Sequence, residues 1–381
     1  MSSVLGVVGA GQLGRMMHQA GISLGVPMRF LAADEQDSAV QVAPDWEMGS
    51  AMSDVDLRRF SASCDVVTFE HEVVDLEGLE DLERSGVVFR PSSRSLRVVA
   101  DKLGMRRAVG WSGLPVPPWR QVKTREELDE ALSEWPRAVL KPARGGYDGR
   151  GVFVVDDPSE GRELGERLLG RRVPLLVEPV IDFDSEVAVI VARRLGGEMV
   201  VYDPVTTLQV DGQCRQVTAP TGLPEAVVED IKSIGARVAD SIEVVGLVAV
   251  EIFVVGADLL VNELAVRPHN SGHHSIEGCV TSQFENHIRA VLDLPLGVPD
   301  LVAPGVAMVN VIGTGVEPRT RLSDALAQDS GARIHLYGKE PRIDRKIGHV
   351  TVCASEVEEA VGRAWAVVEA LGGQVPEEVE R

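Results

Sequence analysis

One glycine-rich stretch decides the fold of this chain: Lys141-Pro-Ala-Arg-Gly-Gly-Tyr-Asp-Gly-Arg-Gly151. A short apolar run at 138–140 precedes it, and a second apolar run at 152–155 follows it. Two strands joined by such a loop form a flap, in which glycine lets backbone amides turn towards an anion and basic side chains add full charge. The loop lacks the Gly-Lys-Ser/Thr ending and the following helix of a Walker A loop, so it predicts a hairpin that lies over phosphates, as in kinases. A surface hairpin without a ligand is the alternative.

Composition limits the classes of protein to which the chain can belong. At 381 residues it exceeds one ordinary core, so two or three domains are expected, and its 44% hydrophobic content argues against disorder. The net charge of −20 argues against a nucleic-acid partner, because such proteins present a basic face. A polyanionic ligand must therefore be held by a local cationic cluster that works against the field of the whole chain.

Cysteine spacing and the N-terminus bear on the compartment. The four cysteines are isolated and lack metal-ligand spacing, which predicts free thiols in a reducing compartment. The first residues lack the basic-then-apolar order of a signal peptide, and no apolar run reaches the length of a membrane span. We therefore expect a soluble, cytoplasmic protein without a membrane partner.

The N-terminal hundred residues predict a doubly wound α/β domain. A buried-strand run at 4–8 leads into Gly9-Ala-Gly-Gln-Leu-Gly14 and a helical pattern, and a second strand ends at Asp34. This dinucleotide-type fingerprint alone indicates NAD, although the same turn can cradle any phosphate or allow close helix–strand packing. A further strand ends in Glu70-His-Glu72, at the carboxyl edge of the sheet, where open α/β sheets bind ligands. A solvated strand end is the alternative.

Two strong strands, at 248–255 and 259–264, carry the most informative pair of residues. If their hairpin is centred on Ala257, Glu251 faces Glu263 with Cβ atoms about 5 Å apart, among apolar neighbours. Two opposed carboxylates in an apolar sheet repel each other and are poorly solvated, so both pKa values are expected to rise. A divalent cation removes both problems, and two carboxylates with substrate phosphates form a usual magnesium site. A slipped register would break this argument.

Two later segments are rich in hydrogen-bond donors and cations. The first, Arg267-Pro-His-Asn-Ser-Gly-His-His274, begins where the glutamate pair ends, and its three histidines raise zinc as an alternative. The second, Tyr337-Gly-Lys-Glu-Pro-Arg-Ile-Asp-Arg-Lys346, is a cationic cluster in an acidic chain that has only six lysines. Such a cluster predicts a bound anion.

Together these segments resemble the ATP-grasp superfamily and, within it, the N5-carboxyaminoimidazole ribonucleotide synthetase family of purine biosynthesis. The resemblance runs from the Gly9–Arg15 turn to Arg345-Lys-Ile-Gly-His349, nearly the whole chain. It implies a mixed α/β and α+β fold with a doubly wound N-terminal domain at 1–100, an ATP-grasp domain at 101–300 and a small C-terminal domain at 301–381. The glycine-rich flap belongs to a lid at about 120–180. The resemblance also implies a homodimer.

The reaction that the resemblance implies is the ATP- and bicarbonate-dependent carboxylation of 5-aminoimidazole ribonucleotide through carboxyphosphate. Its cofactors are ATP and one or two Mg²⁺ ions. The implied ATP-binding residues are Lys102, Lys141, Gly146, Tyr147, Asp148, Gly149, Arg150, Gly151, Val152, Glu178, Pro179, Val180, Ile181, Glu186, Asn262 and Glu263. Those implied for the ribonucleotide are Gln12, Glu70, Tyr147, Asp148, Lys339, Arg345 and Lys346.

The same resemblance assigns catalysis and metal binding to a smaller set of residues. Arg267, His269 and Asn270 look like the bicarbonate site, with Arg150 of the flap as a further catalytic residue. Magnesium falls to Glu251 and Glu263, as the hairpin argument also predicts. Within the ATP site, 178–181 would cradle the adenine and Glu186 would take the ribose hydroxyls.

Two positions depart from the family pattern, and three other functions fit part of the chain. Gln209 stands where the family usually has a histidine and is left out of the predicted site; Val266 stands where proline is frequent. A sister enzyme, such as biotin carboxylase or a formate-dependent ribonucleotide ligase, shares the metal pair and flap but not the 267–273 loop with the C-terminal cations. A nicotinamide-dependent dehydrogenase explains only residues 9–14. A non-catalytic nucleotide-binding regulator needs no bicarbonate loop.

Overall fold

The computed structural model describes residues 3–145, 151–377 and 379. A parallel sheet flanked by helices forms the first domain. Its elements are β1 (Leu5–Val8), α1 (Gln12–Leu24), β2 (Met28–Ala32), β3 (Trp46–Met48), α2 (Asp54–Ser61), β4 (Val66–Phe69), α3 (Leu76–Arg84) and α4 (Ser93–Ala100). The strand order is β3-β2-β1-β4, with every pairing parallel. Strands β1 and β4 are apolar throughout apart from Gly6 and Thr68, as expected where helices cover both faces.

A small antiparallel sheet forms the lid. After α5 (Lys102–Trp111) come β5 (Arg120–Val122), α6 (Arg125–Glu134), β6 (Ala138–Pro142), β7 (Phe153–Val155), α7 (Pro158–Leu169) and β8 (Leu175–Pro179). Its strand order is β5-β8-β6-β7, and α6 starts with the capping box that Thr124 and Glu127 predict. Strands β6 and β7 pair with Leu140 opposite Phe153, which confirms the pairing predicted on either side of the glycine-rich loop. The tip of that loop, 146–150, lies outside the described residues.

A large antiparallel sheet contains the strands of the rest of the chain. Its first part has β9 (Ser185–Arg193), β10 (Met199–Val201), β11 (Val205–Val210), β12 (Gln213–Ala219), α8 (Glu225–Ser241), β13 (Gly246–Val255), β14 (Asp258–Ala265), α9 (Ser275–Gly278) and α10 (Gln283–Val291). Its last part has β15 (Gly305–Ile312), α11 (Leu322–Gln328), β16 (Arg333–Leu336), β17 (Lys346–Ala354) and α12 (Val357–Ala370). The order is β14-β13-β9-β11-β12-β15-β17-β16, with β10 beside β9. The C-terminal strands therefore extend the central sheet directly through β12 and β15.

Shared cores fix how the three parts meet. One hydrophobic cluster joins Phe69 of the first sheet to Val250 of the central sheet, and another joins Phe30 to Phe284 of α10 and to Tyr337. Glu72, which follows β4, is bonded to Arg267, so the carboxyl edge of the first sheet lies against the segment that follows β14. Among the helices of the described residues, none has the length and apolar character needed to cross a membrane.

Candidate active site

The glutamate pair lies where the hairpin argument predicts it. In the β13–β14 pairing Glu251 is directly opposite Glu263. A bulge follows Glu251, so Ile252 pairs with Val261 and Phe253 with Leu260, one residue out of the simple register. The predicted pairing of the two carboxylates is confirmed, but the predicted register does not hold beyond the bulge.

A third carboxylate joins this pair. Glu186 on β9 is buried, and burial together with the charge of Glu263 raises its pKa to about 7. Burial, Glu186 and Glu263 likewise raise the pKa of Glu251 well above its usual range. The expectation that both pKa values of the pair rise is wrong for Glu263. The surrounding protein partly desolvates Glu263, which would raise its pKa, but Lys102, whose Nζ lies 3.3 Å from its Oε1, and Lys141 together lower it.

Lys141 is fixed by a buried ionic network. Its Nζ lies 2.8 Å from Glu178 Oε2 and 3.4 Å from Asn262 Oδ1. The other oxygen of Glu178 accepts a 2.6 Å hydrogen bond from Nε of Arg106, whose side chain is 0% exposed. Arg106 also donates to the carbonyl of Val261 at 3.0 Å. Burial would raise the pKa of Glu178, but Lys141 and Arg106 lower it, so this carboxylate is ionised and holds both cations in place.

The loop after β14 connects the first domain with the glutamate pair. Arg267 Nε donates to Glu72 Oε2 at 2.9 Å. His269 places Nε2 3.6 Å from Glu251 Oε1, while its Nδ1 accepts from the backbone N–H of Ser271 at 3.3 Å. That bond makes Nδ1 an acceptor and places a ring proton on Nε2, which faces the carboxylate. The loop therefore brings a guanidinium and an imidazole to the edge of the carboxylate cluster.

Asn270 adds a buried amide to this loop. It lies in the short 3₁₀ helix Asn270–Gly272, and the residue is 9% exposed. Neither its Nδ2 nor its Oδ1 has a hydrogen-bond partner within the described parts of the chain. Buried polar atoms in native proteins are almost always satisfied, so a ligand or water is expected here.

The N-terminal glycine turn is filled by a side chain of the protein itself. Glu70 is buried and its carboxylate accepts hydrogen bonds from the backbone N–H groups of Gly11 and, at 3.0 Å, of Leu13. A Cβ at Gly11 would lie 2.5 Å from Glu70 Oε1, so glycine is needed for this approach. The amides at the N-terminus of α1, where a dinucleotide pyrophosphate would bind, therefore already hold an anion.

The C-terminal cations meet the same edge of the first domain. Lys339 Nζ donates to Gln12 Oε1 and lies 5.6 Å from the centre of the Tyr337 ring. Lys346 begins β17 and is partly buried, and Arg345 precedes it with a 3.5 Å bond to the carbonyl of Glu340. The first glycine turn, at residues 9–14, is thus surrounded by three residues predicted to bind the ribonucleotide. Gln12 and Glu70 come from the N-terminal domain, and Lys339 comes from the C-terminal domain.

Three family models match the chain in sequence order. They are the ribonucleotide synthetase preATP-grasp domain at 1–100, the ATP-grasp domain at 107–284 and the phosphoribosylaminoimidazole carboxylase C-terminal domain at 306–363. The N5-carboxyaminoimidazole ribonucleotide synthase of Mycobacterium tuberculosis (strain ATCC 25618 / H37Rv) is 42% identical over 372 residues, covering 96% of this chain and 86% of that protein. This chain belongs to the N5-carboxyaminoimidazole ribonucleotide synthase family. It is an ATP-grasp ligase, as the sequence predicts.

Solved structures of the family match the whole architecture. The N5-carboxyaminoimidazole ribonucleotide synthetase of Thermus thermophilus has a TM-score of 0.89 and 35% identity, covering 98% of this chain and 100% of that one. The Aspergillus clavatus N5-carboxyaminoimidazole synthase, in complex with ADP and 5-aminoimidazole ribonucleotide, has a TM-score of 0.87 and 31% identity, covering 97% of this chain and 99% of that one. The predicted architecture of three domains is confirmed.

The remaining predicted residues of this synthase-family chain divide into two groups. Pro179 ends β8 and leads into Val180 and Ile181, all partly buried, while Gly151 and Val152 precede β7. The residues at the flap tip lie outside the described part of the chain: Gly146, Tyr147, Asp148, Gly149 and Arg150.

Sequence reasoning missed two residues that hold the family site together. Arg106 is a fully buried cation on the same face of α5 as Leu103 and Val109, and the sequence does not indicate which carboxylate pairs with it. Glu72 was recognised only as an edge carboxylate, because its partner Arg267 is 195 residues away.

Proposed function

We propose that the chain catalyses the ATP- and bicarbonate-dependent carboxylation of 5-aminoimidazole ribonucleotide to N5-carboxyaminoimidazole ribonucleotide. The observation that carries this proposal is the 3.6 Å approach of His269 to Glu251. It joins a carboxylate pair suited to a metal nucleotide to a loop with an arginine, an imidazole and a buried amide. A nucleotide site that serves an oxyanion acceptor needs this adjacency, whereas a nucleotide-binding regulator does not.

The nucleotide is proposed to lie between the lid and the β13–β14 hairpin. Lys102 and Lys141 are the cations for its phosphates, and Glu178 keeps Lys141 oriented. The segment 179–181 is proposed to hold the adenine. Glu186 is assigned to the ribose hydroxyls, although its contact with Asn262 and its repulsion from Glu263 also tie it to the carboxylate cluster.

The residues present fit magnesium. Within the described residues, no group of three or more His, Cys, Asp or Glu side chains is arranged to hold a metal alone. The opposed Glu251 and Glu263 offer hard oxygen ligands; burial and the neighbouring carboxylates raise the pKa of Glu251, and a bound cation would offset both effects. Magnesium bound there would neutralise charge on the phosphates of the substrate. His269 of the following loop is proposed as a bicarbonate contact, and the three histidines of that loop are not proposed as zinc ligands.

The first step is proposed to form carboxyphosphate. A bicarbonate oxygen attacks the γ-phosphorus of ATP, the bond to the β,γ-bridging oxygen breaks, and ADP leaves. Arg267 and the Asn270 amide are proposed to bind and orient bicarbonate, with His269 beside them and Arg150 as a further contact from the flap. Holding the acceptor in line with the γ-phosphate is the main contribution that a protein makes to phosphoryl transfer.

The second step is proposed to transfer the carboxyl group. The exocyclic amine of the ribonucleotide attacks the carbon of carboxyphosphate or of the CO₂ that it releases, phosphate leaves, and the nitrogen loses a proton. Lys339, Arg345 and Lys346 suit the 5′-phosphate, and Gln12 and Glu70 belong to the same pocket. Tyr147 and Asp148 are assigned to the flap side of the ribonucleotide. Carboxyphosphate hydrolyses readily, so closure of the flap is proposed to exclude water.

We also propose a homodimer in the cytoplasm. The four cysteines are free thiols, as a reducing compartment requires. Sedimentation at micromolar concentration should give twice the chain mass of 41.0 kDa.

Labelled bicarbonate tests the proposed reaction directly. With ¹³C-bicarbonate, ATP, magnesium and 5-aminoimidazole ribonucleotide, a carbamate carbonyl resonance should appear, and omission of any one component should abolish it. Transfer of the label to added biotin, or turnover with formate in place of bicarbonate, would instead indicate one of the sister enzymes.

A further inference from the structure

The bicarbonate loop is held from behind by one buried amide. Gln283, the first residue of α10, is 0% exposed. Its Oε1 accepts a 2.9 Å hydrogen bond from the backbone N–H of His269, and its Nε2 donates at 2.7 Å to the carbonyl of the same residue. A single side chain thus satisfies both backbone groups of a proposed bicarbonate residue.

The same amide fixes the protonation of a second histidine. A backbone N–H can only donate, so the atom that accepts from His269 must be the oxygen of Gln283, and the other atom must be its NH₂ group. The second hydrogen of that group faces His273 Nδ1 at 3.1 Å. His273 Nδ1 must therefore accept, which places the proton of a neutral ring on Nε2. Burial first, and then the charge of Lys346, hold the pKa of His273 well below its usual range, so the ring is neutral.

His273 Nε2 lies in the interior between the loop and the C-terminal strands. It is buried and has no hydrogen-bond partner among the described residues. The ring is 5.1 Å from that of His349 on β17. The turn is also tightly packed, because a Cβ at Gly272 would lie 2.4 Å from Gln283 Oε1. Little freedom is left for either histidine while Gln283 is in place.

We propose that Gln283 is a positioning residue for the bicarbonate loop, which fixes the backbone of His269 and holds His273 as the Nε2–H tautomer. The part that concerns bicarbonate rests on the proposed function. The tautomer does not depend on that function; it rests on the hydrogen bonds of Gln283 and on the neutral state of the buried ring. Gln283 itself touches no reacting atom; it acts through the two histidines.

The Gln283→Glu variant tests this role at constant shape. A carboxylate offers no donor to the carbonyl of His269 or to Nδ1 of His273, so the loop must shift or His273 must take up a proton at Nδ1. We expect the KM for bicarbonate to rise at least tenfold while the KM for ATP stays within twofold. Histidine ¹⁵N spectra should show an unprotonated Nδ1 at His273 in the wild-type protein and a protonated Nδ1 in the variant.

Asn286→Asp is the matched control. Asn286 lies one turn further along α10, is also 0% exposed, and clamps the backbone of Gly297 through an N–H bond of 2.7 Å and a carbonyl bond of 3.1 Å. Its replacement should lower thermal stability as Gln283→Glu does, but should leave the KM for bicarbonate within twofold of the wild-type value. This comparison separates positioning of the loop from general damage to the helix.

Two results would overturn the proposal. One is a wild-type His273 that carries its proton on Nδ1, a measurement that needs no variant to fold. The other is a folded Gln283→Glu protein with an unchanged KM for bicarbonate. If ADP release by the wild-type enzyme does not respond to bicarbonate at all, the proposed function fails, and the ¹⁵N spectra still decide the tautomer.

Discussion

The two glutamates of the central hairpin share a register but not an environment. Glu251 is mostly enclosed and faces Glu186, so its pKa is raised. The side chain of Glu263 is 48% exposed to the cleft and lies beside Lys102, so its pKa is lowered. The pair is thus asymmetric before any ligand binds. Burial and the neighbouring carboxylates disfavour the charged form of Glu251, whereas Lys102 stabilises the charged form of Glu263. Sequence spacing predicts the pairing, but the asymmetry depends on a lysine from another part of the chain.

The Glu251→Gln variant should separate activity from stability. It removes a carboxylate that is opposed by two others at nearly constant shape, so the ligand-free protein should be as stable as the wild type or more stable. ADP release should fall roughly 100-fold or more, because the phosphoryl-transfer charge loses a ligand of its counter-ion. Thermal midpoints and initial rates measure the two effects. An active but unstable variant would indicate a structural pair instead.

The raised pKa values also predict a pH profile. The pKa of Glu186 is raised to about 7 and that of Glu251 is also raised, so the folded protein holds protons that the unfolded chain releases near pH 4.5. Their stabilising contribution is complete below that pH and is lost as pH rises through the folded pKa values. Between pH 5 and 8, the midpoint of the ligand-free wild type should fall by several degrees more than that of Glu251→Gln. Parallel profiles would contradict the assignment.

At the scale of elements, the network of Arg106 and Glu178 joins α5, the lid strand β8 and the hairpin strand β14. Each of these elements meets the others through a buried charge and not only through apolar contacts. The lid and the hairpin are the two walls of the proposed nucleotide site. Around Lys141, which contacts Glu178 of the lid and Asn262 of the hairpin, the contact between these two walls is therefore electrostatic.

The Glu178→Ala variant should weaken both stability and nucleotide binding. It leaves two buried cations without a counter-charge, which costs about 3–5 kcal/mol when one partner of a buried pair is removed. Urea unfolding and the KM for ATP measure the two losses. Glu80→Ala, which removes the partner of Arg97 in an exposed pair, should change the free energy of unfolding by less than about 1 kcal/mol. Equal losses in the two variants would argue against a special role for the buried network.

We expect that the first βα turn, at residues 9–14, does not bind a dinucleotide. Its amides are occupied by Glu70, so a pyrophosphate would have to displace a buried carboxylate. Calorimetric titration with NAD and with NADP, up to millimolar concentration, should show no saturable binding. Micromolar affinity would restore the dehydrogenase as a candidate.

At the scale of the whole molecule, the sequence predicts what is local or periodic. The capping box at Thr124, the flap strands and the pairing of Glu251 with Glu263 all follow from short-range patterns. The rest depends on contacts between domains. Lys339 reaches Gln12 across 327 residues, and no local pattern indicates which anion or amide such a lysine meets. Gln283 was missed for the same reason, because a glutamine at a helix start predicts nothing about a loop.

Because the N- and C-terminal domains meet at the proposed ribonucleotide pocket, we expect a substitution at Lys346 to affect one substrate more than the other. We expect Lys346→Ala to raise the KM for the ribonucleotide much more than the KM for ATP, since a lost charged contact to phosphate costs about 1.5–3 kcal/mol. Lys123→Ala, at an exposed lysine of the lid, removes the same charge and should change neither KM. Equal increases in both KM values for Lys346→Ala would count against a phosphate contact.

The dependence of ADP release on both co-substrates tests the central claim most directly. With saturating ATP and magnesium, the rate of ADP release should be highest when bicarbonate and 5-aminoimidazole ribonucleotide are both present, and should fall to background when either is omitted. An undiminished rate without the ribonucleotide, or without bicarbonate, would contradict the proposed carboxylation.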